Sequence, residues 1–175
     1  MLKWLTNNQI ITHMPIYLSQ KFIEFDHNGL TAQRYDFSIE THNFVVIFSE
    51  VITDDPEYHA LRSEEAGFRI PKNCYDVKFD RLENFESEEF YAPPPKGKGS
   101  RRFNFSLELA DALETIITVH HNIYKAKAYL AVADTPKLKR FYDRVLQKAP
   151  DDVICEVKAE LGEGGMGYVL KTRYF

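Results

Sequence analysis

Cysteine is scarce: Cys74 and Cys155 are the only two in 175 residues. So sparse a pair makes no disulfide framework, and it points to reduced thiols in a reducing, cytoplasmic compartment. No run approaches the roughly 18 apolar residues of a membrane span. The opening Met1-Leu2-Lys3-Trp4-Leu5-Thr6-Asn7-Asn8 has no apolar core of signal-peptide length, so neither secretion nor membrane attachment is expected. A strong charge bias is missing too. The chain carries 26 acidic and 22 basic residues, net −4, which disfavours nucleic acid as a partner of the whole surface and leaves only local basic patches to consider.

Several catalytic signatures are absent as well. There is no Gly-x-Ser-x-Gly elbow, no Gly-x-x-x-x-Gly-Lys-Ser/Thr loop and no dinucleotide fingerprint. Gly162-Glu163-Gly164-Gly165-Met166-Gly167 is glycine-rich but lies between predicted strands, so it reads as a hairpin turn. His13, His27, His42 and His59 have no ligand spacing, and the adjacent His120 and His121 point in different directions on a helix, so no metal is expected. A Cys/His nucleophile, for example Cys74 with one of the histidines, has no local support.

What is present is enough for one core: 44% hydrophobic residues, with 13 Phe and 10 Tyr favouring a sheet-rich interior. Residues 16–25 form an apolar segment, strand or short helix, ended by the turn signal His27-Asn28-Gly29. Tyr35, Phe37 and Ile39 alternate as a strand, residues 40–43 form a hairpin loop, and Phe44-Val45-Val46-Ile47-Phe48 is the partner strand. Thr53-Asp54-Asp55-Pro56 caps a helix over 57–66, with Gly67 at its C-terminal cap.

Residues 75–79 alternate as another strand, the acidic stretch 83–89 follows, and residues 92–102 form a flexible, basic Pro/Gly loop. Beyond it, Arg102–Leu107 predicts a strand, and Ala110, Leu113, Ile117, His120 or His121 and Tyr124 predict a helix. Tyr129–Ala133 is a buried strand. Asp134-Thr135-Pro136 starts a helix whose stripe is Leu138, Phe141, Tyr142, Val145 and Leu146. Val153–Leu161 and Gly167–Phe175 close the chain as a hairpin. The whole predicts an α/β fold of the α+β kind: one domain over 1–175, with a mixed, mostly antiparallel sheet flanked by about three helices.

The order of the last third, with Tyr129-Leu130-Ala131-Val132-Ala133-Asp134-Thr135-Pro136 and the following Lys137–Leu146, resembles the C-terminal half of the GNAT-type N-acyltransferases over about the last 65 residues. The resemblance implies an acyl-coenzyme A donor such as acetyl-coenzyme A and an amine acceptor. It implies a V-shaped opening beside the strand 129–133, whose backbone around Leu130 and Val132 would pair with the pantetheine arm. Thr135 falls where the family often has Asn, and Tyr142 on the tyrosine that can protonate the departing thiolate.

The family's Arg/Gln-x-x-Gly-x-Gly/Ala turn, which brings backbone N–H groups and a helix N-terminus to the pyrophosphate, has no counterpart in Ser106-Leu107-Glu108-Leu109-Ala110-Asp111. Glu108 and Asp111 would repel that group. Gly97 and Gly99 come before a predicted strand.

Lys96, Lys98, Arg101 and Arg102 gather in the basic loop and could hold a phosphate or a nucleic-acid backbone. The bland reading is a solvated loop, neutralised by Glu83, Glu86, Glu88 and Glu89. Tyr142 has a bland reading too, as a core residue on its apolar stripe. Three functional expectations follow. The first is a GNAT-like N-acyltransferase, or a degenerate one, acting on a small-molecule amine. The second is a non-catalytic interaction or inhibitory protein of bacterial or phage type that offers aromatics to a protein partner. The third is nucleic-acid binding through Lys96–Arg102 with Phe103 and Phe105.

Overall fold

The computed structural model describes residues 16–27 and 29–175. The N-terminal octapeptide, His13 and the Asn28 position of the predicted turn lie outside the described residues.

The alternation at Tyr35, Phe37 and Ile39 becomes strand β3 (Leu30–Ile39), which pairs antiparallel with β4 (His42–Glu50) across a tight turn at Glu40, whose φ is 57°. The segment left open between strand and helix is two strands, β1 (Ile16–Leu18) and β2 (Ile23–His27). They lie end to end along one edge of β3, with Ile16 opposite Ile39 and Ile23 opposite Arg34. Helix α1 (Pro56–Ala66) forms as its caps dictate. Asp55 accepts from the N–H groups of Glu57 and Tyr58 at 3.1 and 3.0 Å, and Gly67 takes the left-handed φ of 74° that glycine adopts without strain.

Strand β5 (Cys74–Arg81) follows, then the short α2 (Leu82–Ser87), the loop and the 20-residue α3 (Phe105–Tyr124). The predicted strand at Arg102–Leu107 is therefore corrected: α3 begins inside it. Phe103 is 95% exposed, whereas Phe105, Leu109, Leu113, Ile116 and His120 recur every three or four residues against the sheet. Two alternating aromatics fit either period, and the packing of Phe105 on Phe44 and His42 decides for the helix. The chain closes with β6 (Ala128–Val132), α4 (Pro136–Leu146), β7 (Ile154–Leu161), one short 3₁₀ turn and β8 (Gly167–Thr172).

The sheet runs β1-β3-β4-β5-β6-β8-β7, with β2 also on β3. Its pairs are antiparallel except β5 with β6. This is the mixed, mostly antiparallel α/β fold expected. The described residues hold four α-helices rather than about three, because the acidic segment contributes α2. One face of the sheet carries Tyr35, Phe37, Phe44, Phe48, Tyr75, Tyr129 and Tyr168 under α3 and α4. The other carries the smaller cluster of Val51, Ala66, Ile70, Cys74, Ala128, Leu130 and Val169, to which α1 contributes Ala66.

A split in the sheet as the candidate functional site

The parallel strands β5 and β6 are joined by the crossover that contains α3, and their carboxyl ends are where open sheets of this kind bind ligands. Their ladder is short. It pairs Cys74 with Ala128, Tyr75 with Tyr129 and Asp76 with Leu130, then stops, although β5 continues to Arg81 and β6 to Val132. The N–H of Val51 bonds the carbonyl of Cys74, so the even-numbered peptide groups of β5 face β4. The N–H of Ala133 bonds the carbonyl of Met166, so the odd-numbered ones of β6 face β8. By strand alternation, the peptide groups of Phe79 and Val132 face the opening.

Tyr91 spans its mouth. Its N–H donates to the Asp80 carboxylate at the end of β5, and its phenol lies close enough to Asp134, just past β6, to feel that carboxylate. Burial first, then the neighbouring Asp134 carboxylate, raise this phenol above its ordinary range. Tyr142 lies deeper, 9% exposed, with its ring centroid 5.4 Å from Tyr168, 6.1 Å from Phe79 and 6.1 Å from Phe141. Burial raises its phenol too, and Tyr91 and Asp134 add to the shift, so it stays protonated at neutral pH. Helix α4, which carries Tyr142, is pinned to β8: the Tyr168 hydroxyl donates to Asp143 at 2.6 Å, and Lys139 pairs with the same carboxylate at 3.1 Å.

Of the other residues singled out in the sequence, Leu130 is buried in the smaller cluster on the α1 face, and Val132 is 44% exposed. The Thr135 hydroxyl accepts from the Leu138 N–H at 3.1 Å as the N-cap of α4. Because Thr135 holds the cap position, the side chain of Asp134, which precedes it in the predicted helix start, is left for the groove. Two cap candidates before one helix were the available signal for Asp134; Tyr91 carried no such signal.

The loop Lys96-Gly97-Lys98-Gly99 leads toward the N-terminus of helix α3, which corrects the reading that these glycines precede a strand. That N-terminus stands over β4, one strand away from the split. Gly97 has a φ of 82°, and a Cβ on Gly99 would meet Pro94 Cγ at 3.3 Å. Arg102 is engaged by Glu40 and Glu108, so Glu108 is matched by a cation rather than left to repel an anion. Among the described residues Lys96, Lys98 and Arg101 have no carboxylate partner. Of the upstream acidic run, Glu83 pairs with Arg81, and no described ion pair joins that run to the loop.

The split separates two cavities that share Phe79 as a wall. On the α3/α4 side is an apolar slot of about 80 Å³ lined by Val77, Leu113, Ile117, Phe141, Tyr142 and Leu146 among others. On the α1/α2 side is a groove of about 650 Å³ with the aromatic rings of Tyr58, Phe85, Phe90 and Tyr91 and the carboxylates of Glu50, Asp76, Asp80 and Asp134.

The remaining candidates are structural. Burial pushes the Cys74 thiol up to about 11, which keeps it protonated, while Cys155 is exposed. His120 and His121 are both fully buried. His120 stacks on Phe48 at 3.9 Å, with Nδ1 3.0 Å from the Tyr129 hydroxyl and Nε2 3.5 Å from Gln33 Oε1. Among the described residues no group of three or more His, Cys, Asp or Glu could hold a metal ion, and no helix is long and apolar enough to cross a membrane. Comparison with protein-family models, curated proteins and solved structures gave no match.

Proposed function

We propose that this protein is an N-acyltransferase that takes its acyl group from acyl-coenzyme A and transfers it to an amine. The observation that carries the reading is the early end of the β5–β6 ladder. The peptide groups of Phe79 and Val132 are left facing an opening, and an extended, amide-bearing arm could bond them as a missing strand would. The chain order α3, β6, α4, β7, β8 supports it as well, being the order of elements on which the family resemblance rests.

In this reading the amine enters from the α1/α2 groove, and its nitrogen attacks the thioester carbonyl. The C–N bond forms and the C–S bond breaks. The proton lost by nitrogen passes to a carboxylate, a role for Asp134, whose charge acts on both Tyr91 and Tyr142. A phenol kept protonated by burial suits Tyr142 to donate to the leaving thiolate. Lys96, Lys98 and Arg101, having no carboxylate of their own, suit the phosphates of the donor.

Thermal unfolding with and without millimolar acetyl-coenzyme A tests this. A ligand at about 100 times its Kd adds about 2.7 kcal/mol to a folded state it alone recognises, which in a chain of this size raises Tm by about 5–10 °C. Tyr142→Phe should keep that rise and lose turnover. The absence of any rise would overturn the proposal.

A second reading rests on Phe103. It is 95% exposed next to Arg101 and the unpaired lysines, the combination on which single-stranded nucleic acid stacks. Binding of an oligonucleotide that falls steeply with salt and is lost in Phe103→Ser would favour it.

A further inference from the structure

We infer that the groove on the α1/α2 face binds an organic ammonium ion with an aromatic or aliphatic body. This rests on the transferase reading in one respect only, that the ion would be its acceptor amine. The groove, at about 650 Å³, falls within the range of about 300–1,000 Å³ typical of small-molecule sites. Its walls fit an apolar body: Val45 and Ile47 from β4 face Tyr58, Phe85, Phe90 and Tyr91. Phe90 stands 54% exposed at the rim, 6.3 Å from Phe85, an aromatic ring with one face left for a guest.

The charge of the lining selects a cation. Four carboxylates meet the single ammonium of Lys78. Neighbouring cations are already engaged: Arg62 pairs with Asp76 and Glu65, and Arg34 pairs with Asp36 beneath the Phe85 ring. Two of the carboxylates serve the fold. Asp76 is tied to Arg62, and Asp80 accepts from Asn84 and from the N–H groups of Arg81 and Tyr91. The other two keep acceptor capacity for a guest. Glu50 binds the Asn73 N–H through one oxygen at 2.9 Å, and Asp134 lies beside the Tyr91 phenol, outside any ion pair among the described residues.

An ammonium ion at Asp134 would sit at the mouth of the split, beside Tyr91. Phe79 is the wall between this position and the slot that contains Tyr142.

The test is calorimetric titration of the intact chain, without any acyl donor, using phenethylamine, tryptamine and octylamine, with phenylacetate as the control of opposite charge. Binding of at least one amine at millimolar concentration or tighter is expected, with phenylacetate at least tenfold weaker. Asp134→Asn, which keeps the size of the side chain and removes its charge, should weaken the amine about tenfold or more. Phe90→Ala, at an exposed position, should weaken it several-fold with Tm unchanged. Failure of all three amines at 10 mM, equal binding of phenylacetate, or indifference to both substitutions would each overturn the inference. Amine binding with no Tm response to acetyl-coenzyme A would sink the transferase reading alone. The reverse pattern would sink the groove alone.

Discussion

The two faces of the sheet are built from the same strands and could hardly differ more. In β5, Tyr75, Val77 and Phe79 point to the α3/α4 face, and Cys74, Asp76, Lys78 and Asp80 to the other. In β4, Phe44, Val46 and Phe48 are on the first face, with Val45 and Ile47 on the second. The first is a dense aromatic layer around a buried histidine. The second has one small apolar cluster near α1 and beyond it an open groove lined by acidic side chains. Beyond the α1 cluster, one face of β4 and β5 thus carries stability and the opposite face lines the groove, a division that follows from the two-residue period. If it holds, substitutions one residue apart in a single strand should fall into different classes.

The largest contrast is Phe48→Ala against Ile47→Ala. Phe48 is fully buried, stacked on His120 and in edge contact with Phe22 and Tyr129. Its loss should cost about 3–5 kcal/mol through transfer and cavity terms. Ile47 lines the groove and is only half-buried, so its truncation should cost about 1 kcal/mol. Urea unfolding measures both, and near-equal costs would break the comparison.

The dense face should also govern acid stability. Burial pushes His120 down to about 3 from its ordinary 6.5, so the folded state resists a proton that the unfolded chain accepts. The stability this confers is fully present above pH 6.5 and is lost as pH falls toward 3, with a slope of about 1.4 kcal/mol per pH unit for this one proton. His120→Gln should lower stability at pH 7, because the Phe48 stack is lost, yet flatten the decline between pH 6 and pH 4. Unfolding curves at several pH values check this, and an unchanged slope would mean His120 takes up its proton in the folded state.

How much of this was legible in the sequence divides along the same line. Strands β3, β4, β5 and β6 and helices α1 and α4 follow from alternation, stripes and caps, which are local. The start of α3 was missed because Phe103 and Phe105 fit two periods and only contact with Phe44 separates them. The pairing of β1 and β2 along one edge of β3 is tertiary, and no local pattern encodes it. At the site, the expected roles of Tyr142 and of the backbone at Val132 came from the family resemblance. Tyr91 and Asp134 did not, since the chain positions that bring them together are 43 residues apart in sequence. The basic loop was visible, but the engagement of Arg102 by Glu40 and Glu108 depends on the β3–β4 turn lying beside α3.

Adjacent histidines sharpen the argument on a smaller scale. Both are fully buried, but among the described residues neither ring nitrogen of His121 has a hydrogen-bond partner. Its ring stacks on Tyr174 at 4.9 Å. Unpartnered buried nitrogens carry a desolvation cost of about 1–3 kcal/mol, and phenylalanine would keep the stack without them. His121→Phe should therefore raise stability by about 1 kcal/mol, measured as a higher urea midpoint at constant m-value. A loss would mean that those nitrogens are solvated.

The smallest stability effect is expected at the groove, where the effect on binding is large. Glu50→Gln keeps the oxygen that accepts from the Asn73 N–H and removes one negative charge from a lining that has four carboxylates and one ammonium. A substitution of that kind, touching neither a cavity nor a cap, should stay within about 0.5 kcal/mol of the parent in urea. Its affinity for a bound amine such as phenethylamine should nevertheless drop several-fold, because an ammonium ion loses one of the two carboxylates with acceptor capacity to spare. If Glu50→Gln instead costs more than about 1.5 kcal/mol, well outside the range of surface changes, the groove is part of the structural core and the two faces are not divided as argued. If stability holds and binding falls, the even positions of β5 and the carboxylates beside them belong to a site that the fold can spare.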